Sequence, residues 1–183
     1  MEQKEQSSAI ITIFGSALPT EESEQYRLAY ELGKALAGAG YRVATGGHSG
    51  VMEAASRGAS EAGGHVIGVL AQTIPGKVNQ WVERKILVDD WEARLQKLIQ
   101  IGRGYVALNG GTGTLVELAV AWEMMSKRII PCRPLVALGD YWQPVVERIT
   151  KSKEGAGSEG IVSFASSVSS AIQVLTRGVP AEL

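Results

Sequence analysis

Asn109-Gly110-Gly111-Thr112-Gly113-Thr114-Leu115-Val116-Glu117 follows the short apolar run Tyr105-Val106-Ala107-Leu108 and opens a strongly apolar segment from Leu115 to Met125. The run reads as a buried strand and the segment as a helix. Strand, glycine turn and helix together predict a phosphate cradle, because a helix start leaves backbone N–H groups unpaired and carries the positive end of the helix dipole. The glycines let an anion approach the backbone, and the Thr112 and Thr114 hydroxyls add donors. Glu117 falls about one turn in, and it and Glu123 are the only charges between Thr114 and Met125. Such a helix is expected to be buried, and a buried carboxylate needs a partner. Thr114-x-x-Glu117 is also the spacing of a capping box, in which Glu117 would only satisfy a backbone N–H. Spacing alone leaves both roles open.

The same architecture occurs upstream. Tyr41-Arg42-Val43-Ala44 reads as a strand, Thr45-Gly46-Gly47-His48-Ser49-Gly50-Val51-Met52 as a glycine turn, and the alanine-rich stretch to about Ala62 as a helix that Gly63-Gly64 stops. Before it, Ala9 to Phe14 forms a β-branched run ended by Gly15-Ser16. The acidic cluster Glu21, Glu22, Glu24 suits a helix start, and Tyr26, Ala29, Tyr30, Gly33, Leu36 and Ala37 recur at helical spacing up to Gly38 and Gly40. This β-α-β unit predicts a doubly wound α/β domain with a mostly parallel sheet of about six or seven strands. Loops at the carboxyl ends of parallel strands share one edge, so the two glycine turns are expected to face a common crevice. Gly15, Ser16, Gly46, Gly47, Gly50 and Met52 therefore join Asn109, Gly110, Gly111, Thr112, Gly113 and Thr114 as ligand-binding candidates. His48 is a loop histidine with no evident partner in the pattern; both a catalytic acid and an incidental residue fit it.

The rest of the chain continues the alternation. His65 to Leu70 is a third strand, Gln72 to Gln80 a loop with Pro75 and Gly76, and the charged segment Val82 to Val88 an edge strand. Asp89 and Asp90 cap a helix whose apolar stripe is Trp91, Leu95, Leu98 and Ile99. Arg94 falls at the edge of that stripe. It reads either as a snorkelling surface side chain or as a planar cation reaching the crevice, toward a phosphate, a ribose or Glu117. Pro134 to Leu138 and Ile161 to Phe164 read as further strands, Tyr141 to Ile149 as a helix, and Lys151 to Gly160 as a mobile loop. Ser166 or Ser167 caps a last helix through Leu175.

Composition narrows the function. With 183 residues and 45% hydrophobic content the chain is expected to form one domain, with a flexible start at residues 1–8. A net charge of -1 and a pI near 6.2 argue against a nucleic-acid polymer as partner. Cys132 is the only cysteine, which excludes an intrachain disulfide and a cysteine-rich metal site. The polar start and the lack of a long apolar run predict a soluble cytoplasmic protein. Neither turn matches G-x-G-x-x-G, and no G-x-x-x-x-G-K-[ST] occurs. No metal or cofactor is expected.

Both turns, with Arg94 and Glu117, resemble the LOG (Lonely Guy) family of cytokinin-activating phosphoribohydrolases, within a wider Rossmann-like group that includes molybdenum cofactor carrier proteins. The family motif P-G-G-x-G-T-x-x-E matches from Gly110 to Glu117, with Asn109 in place of proline, and G-G-x-x-G-x-M matches from Gly46 to Met52. The family arginine aligns with Arg94, followed by Leu95 where the hydrolases usually carry lysine. The resemblance spans about Ile10 to Leu175. It implies a homodimer packed through helices, toward which the apolar Trp122, Met124 and Met125 also point. It further implies hydrolysis of the N-glycosidic bond of a nucleoside 5'-monophosphate, with Arg94 and Glu117 catalytic and the Gly110 to Thr114 turn holding the phosphate. Arg94 and Glu117 favour such an enzyme; Asn109 and Leu95 favour a non-catalytic nucleotide sensor or molybdenum cofactor carrier. No lysine sits in a recognisable pyridoxal phosphate context, so the lysine decarboxylase label used for part of this group finds no support.

Overall fold

A computed structural model describes residues 8–155 and 157–180. The expected flexible start lies outside the described residues except for Ser8, whose carbonyl accepts from Arg42 Nε at 2.9 Å. Seven parallel strands form one sheet: β1 (Ile10–Phe14), β2 (Arg42–Thr45), β3 (Val66–Ala71), β4 (Arg84–Val88), β5 (Gly104–Ala107), β6 (Leu135–Leu138) and β7 (Val162–Ala165). Their order is β4-β3-β2-β1-β5-β6-β7. The chain builds outward from β1 to one edge and then returns to β1's other side. The switch between β1 and β5 opens a crevice at the carboxyl ends of the strands.

Six helices cover the sheet: α1 (Glu24–Gly38), α2 (Val51–Glu61), α3 (Trp91–Ile101), α4 (Thr112–Ser126), α5 (Gln143–Thr150) and α6 (Val168–Gly178). Alternate strand residues point to opposite faces, so two cores form. Ile11, Ile13, Val43 and Val106 pack against α1, α2 and α6; Phe14, Val69, Tyr105 and Ala107 pack against α3, α4 and α5. Strands buried on both faces carry near-continuous apolar runs, which is why they were legible. Among the described residues no helix is long and apolar enough to cross a membrane.

Several local expectations change. Glu21 and Glu22 precede the Ser23 N-cap, leaving only Glu24 in the first turn of α1. α4 is not buried all round: Leu115, Ala119 and Glu123 form an exposed stripe, whereas Trp122 and Met125 are buried in their own chain. The Trp122 indole N–H donates to the Ser158 carbonyl at 3.1 Å. That bond, with Gly155 N–H to the Ser152 carbonyl and Ser158 N–H to the Gly155 carbonyl, gives the stretch read as a loop hydrogen-bonded turns among its described residues. The final helix is capped by Ser167, whose hydroxyl accepts from Ser170 N–H.

Candidate functional site

Arg94 enters the site because α3 starts where it does. Asp90 is the N-cap, its carboxylate accepting from Ala93 N–H at 2.8 Å. This phases Leu95, Leu98 and Ile99 into the core and turns Arg94 toward the strand ends. Arg94 is only 8% exposed, which rules out a snorkelling surface role. Its Nε donates to the Val69 carbonyl at 2.9 Å, Nη2 lies 3.8 Å from Met52 Sδ, and Nη1 lies 3.8 Å from Glu117 Oε1. Leu95, by contrast, faces the core.

The Gly46 turn explains how a guanidinium fits there. A Cβ on Gly46 would overlap Arg94 Nη2 and lie 2.7 Å from Met52 Sδ. On Gly47 it would lie 2.7 Å from Leu70 Cδ2, and on Gly50 2.5 Å from the Ser16 carbonyl oxygen. Gly50 also has φ +68, a conformation that disfavours side chains. The first N–H of α2, from Val51, is already bonded to the Ser16 carbonyl at 2.8 Å. These glycines seat other protein groups.

The Gly110 turn behaves differently. Gly110 leaves room for the Thr114 side chain, but a Cβ on Gly111 or Gly113 would meet nothing within 4 Å. Gly111 is the N-cap of α4 and no side chain caps it. The first turn of α4 thus presents N–H groups to open space. Thr114 is the third residue of the helix and Glu117 the sixth, so the capping-box role fails: Glu117 is too deep in α4 to reach the cap. Its carboxylate instead faces Arg94. Burial raises the Glu117 pKa to about 7, against the lowering effect of Arg94. Burial likewise lowers the Arg94 pKa, opposed by Glu117. At neutral pH the site holds a fixed cation beside a carboxyl poised between its two forms.

The crevice around this pair has a volume of about 460 Å³. Of the candidate residues, Gly15, Ser16, Met52, Arg94, Gly111, Thr112, Gly113, Thr114 and Glu117 line it. Gly46, Gly47, Gly50 and Gly110 lie behind that lining. Asn109 turns away: its side chain borders a separate, larger hollow near Gly139, while its carbonyl accepts from Ser16 N–H at 3.3 Å. His48 lines the crevice with Nε2 buried and unpartnered, and burial, then Arg94, lowers its pKa, so the ring is neutral at pH 7. Sequence reading missed Ile74, Pro75, Lys77 and Trp91. The first three come from the β3–β4 loop, which Asn79 pins across the Gly46 turn: its N–H donates to the Gly47 carbonyl and its Nδ2 to the His48 carbonyl, both at 2.9 Å. In sequence Trp91 is indistinguishable from the apolar stripe of Leu95, Leu98 and Ile99, and only the structure shows it half-exposed.

A cytokinin riboside 5'-monophosphate phosphoribohydrolase of Rhodococcoides fascians is 28% identical over 159 residues, covering 84% of this chain and 78% of that protein. Among solved structures, the molybdenum cofactor binding protein of Rippkaea orientalis superposes with a TM-score of 0.77 at 28% identity, covering 93% of this chain and 96% of that one. The molybdenum cofactor carrier protein of Chlamydomonas reinhardtii gives 0.74 at 30% identity, with 93% and 97% coverage. Residues 8–168 match the model of the SLOG cluster4 family, and the chain belongs to that family.

Proposed function

We propose that this protein binds nucleoside 5'-monophosphates and hydrolyses their N-glycosidic bond to free base and ribose 5-phosphate. The observation that carries this reading is the pairing of buried Arg94 with the largely covered Glu117, 3.8 Å apart, set beside the uncapped first turn of α4. The 5'-phosphate sits on the N–H groups of Thr112, Gly113 and Thr114, with Ser16 across the crevice. Glu117 lies one turn further along α4, at the distance of the ribose, and engages its hydroxyls. As the bond from C1' to the base nitrogen breaks, positive charge grows on the sugar and the ionised carboxylate stabilises it. Arg94, held by Val69, orients the substrate and the attacking water. Water adds its oxygen to C1', and its proton leaves with the base. No metal or cofactor takes part.

Similarity to the Rhodococcoides fascians enzyme supports this reading. A second reading, a carrier of a phosphorylated pterin such as molybdenum cofactor in the same crevice, is supported by the superposition on the two molybdenum cofactor proteins. A base-release assay over a panel of nucleoside 5'-monophosphates separates the two. Release by the wild type that collapses in Glu117→Ala and Arg94→Ala supports the hydrolase; no release, with pterin binding seen by calorimetry, supports the carrier. Either form is a homodimer in this proposal, packed through the Leu115 and Ala119 stripe of α4. Light scattering of Ala119→Glu tests it, with a monomer expected.

A further inference from the structure

The crevice has a polar end and an aromatic end. We propose that Trp91, at the aromatic end, is the platform on which the ligand's flat heteroaromatic ring stacks. This rests on the nucleotide reading above and adds to it the residue that recognises the base.

Two of the four tryptophans are fully used by the fold. Trp122 and Trp142 are 6% and 4% exposed, and their indole N–H groups donate to the Ser158 and Leu108 carbonyls. Trp81 is half-buried and lies 5.7 Å from the Arg57 guanidinium. Trp91 is 43% exposed, its side chain makes no hydrogen bond, ion pair or ring contact among the described residues, and it lines the crevice. A large apolar ring left open at a crevice mouth gains by being covered, and a flat ring laid on its face covers the most area.

Its placement matches the rest of the site. Trp91 is the first residue of α3 and Arg94 the fourth, so the two share a face about 5–6 Å apart. Arg94 meets Glu117, and Glu117 is itself three residues beyond Thr114 in the first turn of α4. Two helical steps joined by one ion pair thus order the crevice as anion-binding N–H groups, carboxylate, guanidinium and indole. A nucleoside monophosphate presents phosphate, sugar and ring in that order. Ile74 and Pro75 from the β3–β4 loop add apolar surface to the crevice, and Glu117 is its only carboxylate among the described residues. An indole face accepts any flat ring, so this end selects for ring against no ring more than for one base over another.

Calorimetry with AMP and with ribose 5-phosphate tests this, in a Glu117→Gln background that leaves the nucleotide uncleaved. Trp91→Leu is expected to weaken AMP binding about tenfold or more and to change ribose 5-phosphate binding less than about twofold. Trp91→Phe, which keeps an aromatic face, should recover most of the AMP affinity. Equal loss for both ligands, or no loss for either, overturns the platform and leaves the Arg94–Glu117 reading standing on base release. Unchanged AMP affinity with an altered oligomeric state also overturns it, by assigning Trp91 to a contact between copies. Binding of neither ligand before Trp91 is changed, with no base release by the wild type, overturns the nucleotide reading and the platform with it.

Discussion

The two glycine turns look alike in sequence and do opposite work. At residues 46–50 each glycine is buried and the space a side chain would take is filled: by the Arg94 guanidinium, by Leu70 and by the backbone of the loop after β1. At residues 111 and 113 the glycines are exposed and the space is empty. The helix starts differ accordingly, since the leading N–H of α2 is spent on Ser16 while the first turn of α4 has no side-chain cap. A glycine in such a motif reports close approach, and the approaching group can be protein or ligand. Here one turn builds the floor that holds the Arg94 guanidinium, and the other leaves open space before an uncapped helix start.

Substitution should separate the turns, and Gly50 gives the largest effect. Gly50→Ala must adopt a left-handed backbone and press a methyl 2.5 Å from the Ser16 carbonyl oxygen. We expect a loss of about 3–5 kcal/mol in a denaturant melt; a loss below about 1 kcal/mol would mean that the turn relaxes freely. Glu117 comes next. Its carboxyl binds a proton more tightly folded than unfolded, so the folded state holds extra protons between about pH 4.5 and pH 7. Stability from this group is therefore full at low pH and falls as pH rises through that window, by up to about 3 kcal/mol. Glu117→Gln removes the slope, and melts of both proteins at pH 4.5 and pH 8 measure the difference. The same ionisation should make kcat/KM for base release rise with pH toward a midpoint near 7. Gly46→Ala follows: its methyl displaces Arg94, and base release is expected to drop about a hundredfold while Gly111→Ala leaves Arg94 in place.

Much of this was legible. Parallel strands buried on both faces announce themselves as apolar runs, and all seven strands, the charged edge strand β4 included, were found within a residue or two. The Arg94 side chain was harder, because a charge at the edge of a helical stripe looks identical whether it points to water or into a hole made by a distant glycine. That hole depends on Gly46, 48 positions earlier, so no local pattern contains it. Asn109 misled for a related reason: it sits inside the motif, yet its peptide carbonyl is what the loop uses, and the side chain turns to the far side of the β1–β5 switch. Ile74, Pro75 and Lys77 belong to a loop whose position is set by Asn79 pairing with the backbone of Gly47 and His48, a tertiary contact that composition does not encode.

Gly113→Ala should give the smallest change in stability and the sharpest test of the contrast. Gly113 is the second residue of α4, its added methyl would meet nothing within 4 Å, and its backbone is helical. Alanine there restricts the unfolded chain and favours the helix, so the protein should gain about 0.5–1 kcal/mol. The methyl nonetheless projects where an anion must approach the N–H groups. Ligand affinity should therefore fall while stability rises, two signs that a structural glycine cannot produce together. Calorimetry with ribose 5-phosphate and a denaturant melt on the same variant read both. If stability and affinity both fall, the Gly110 turn is filled by protein as the Gly46 turn is, and the asymmetry between them disappears.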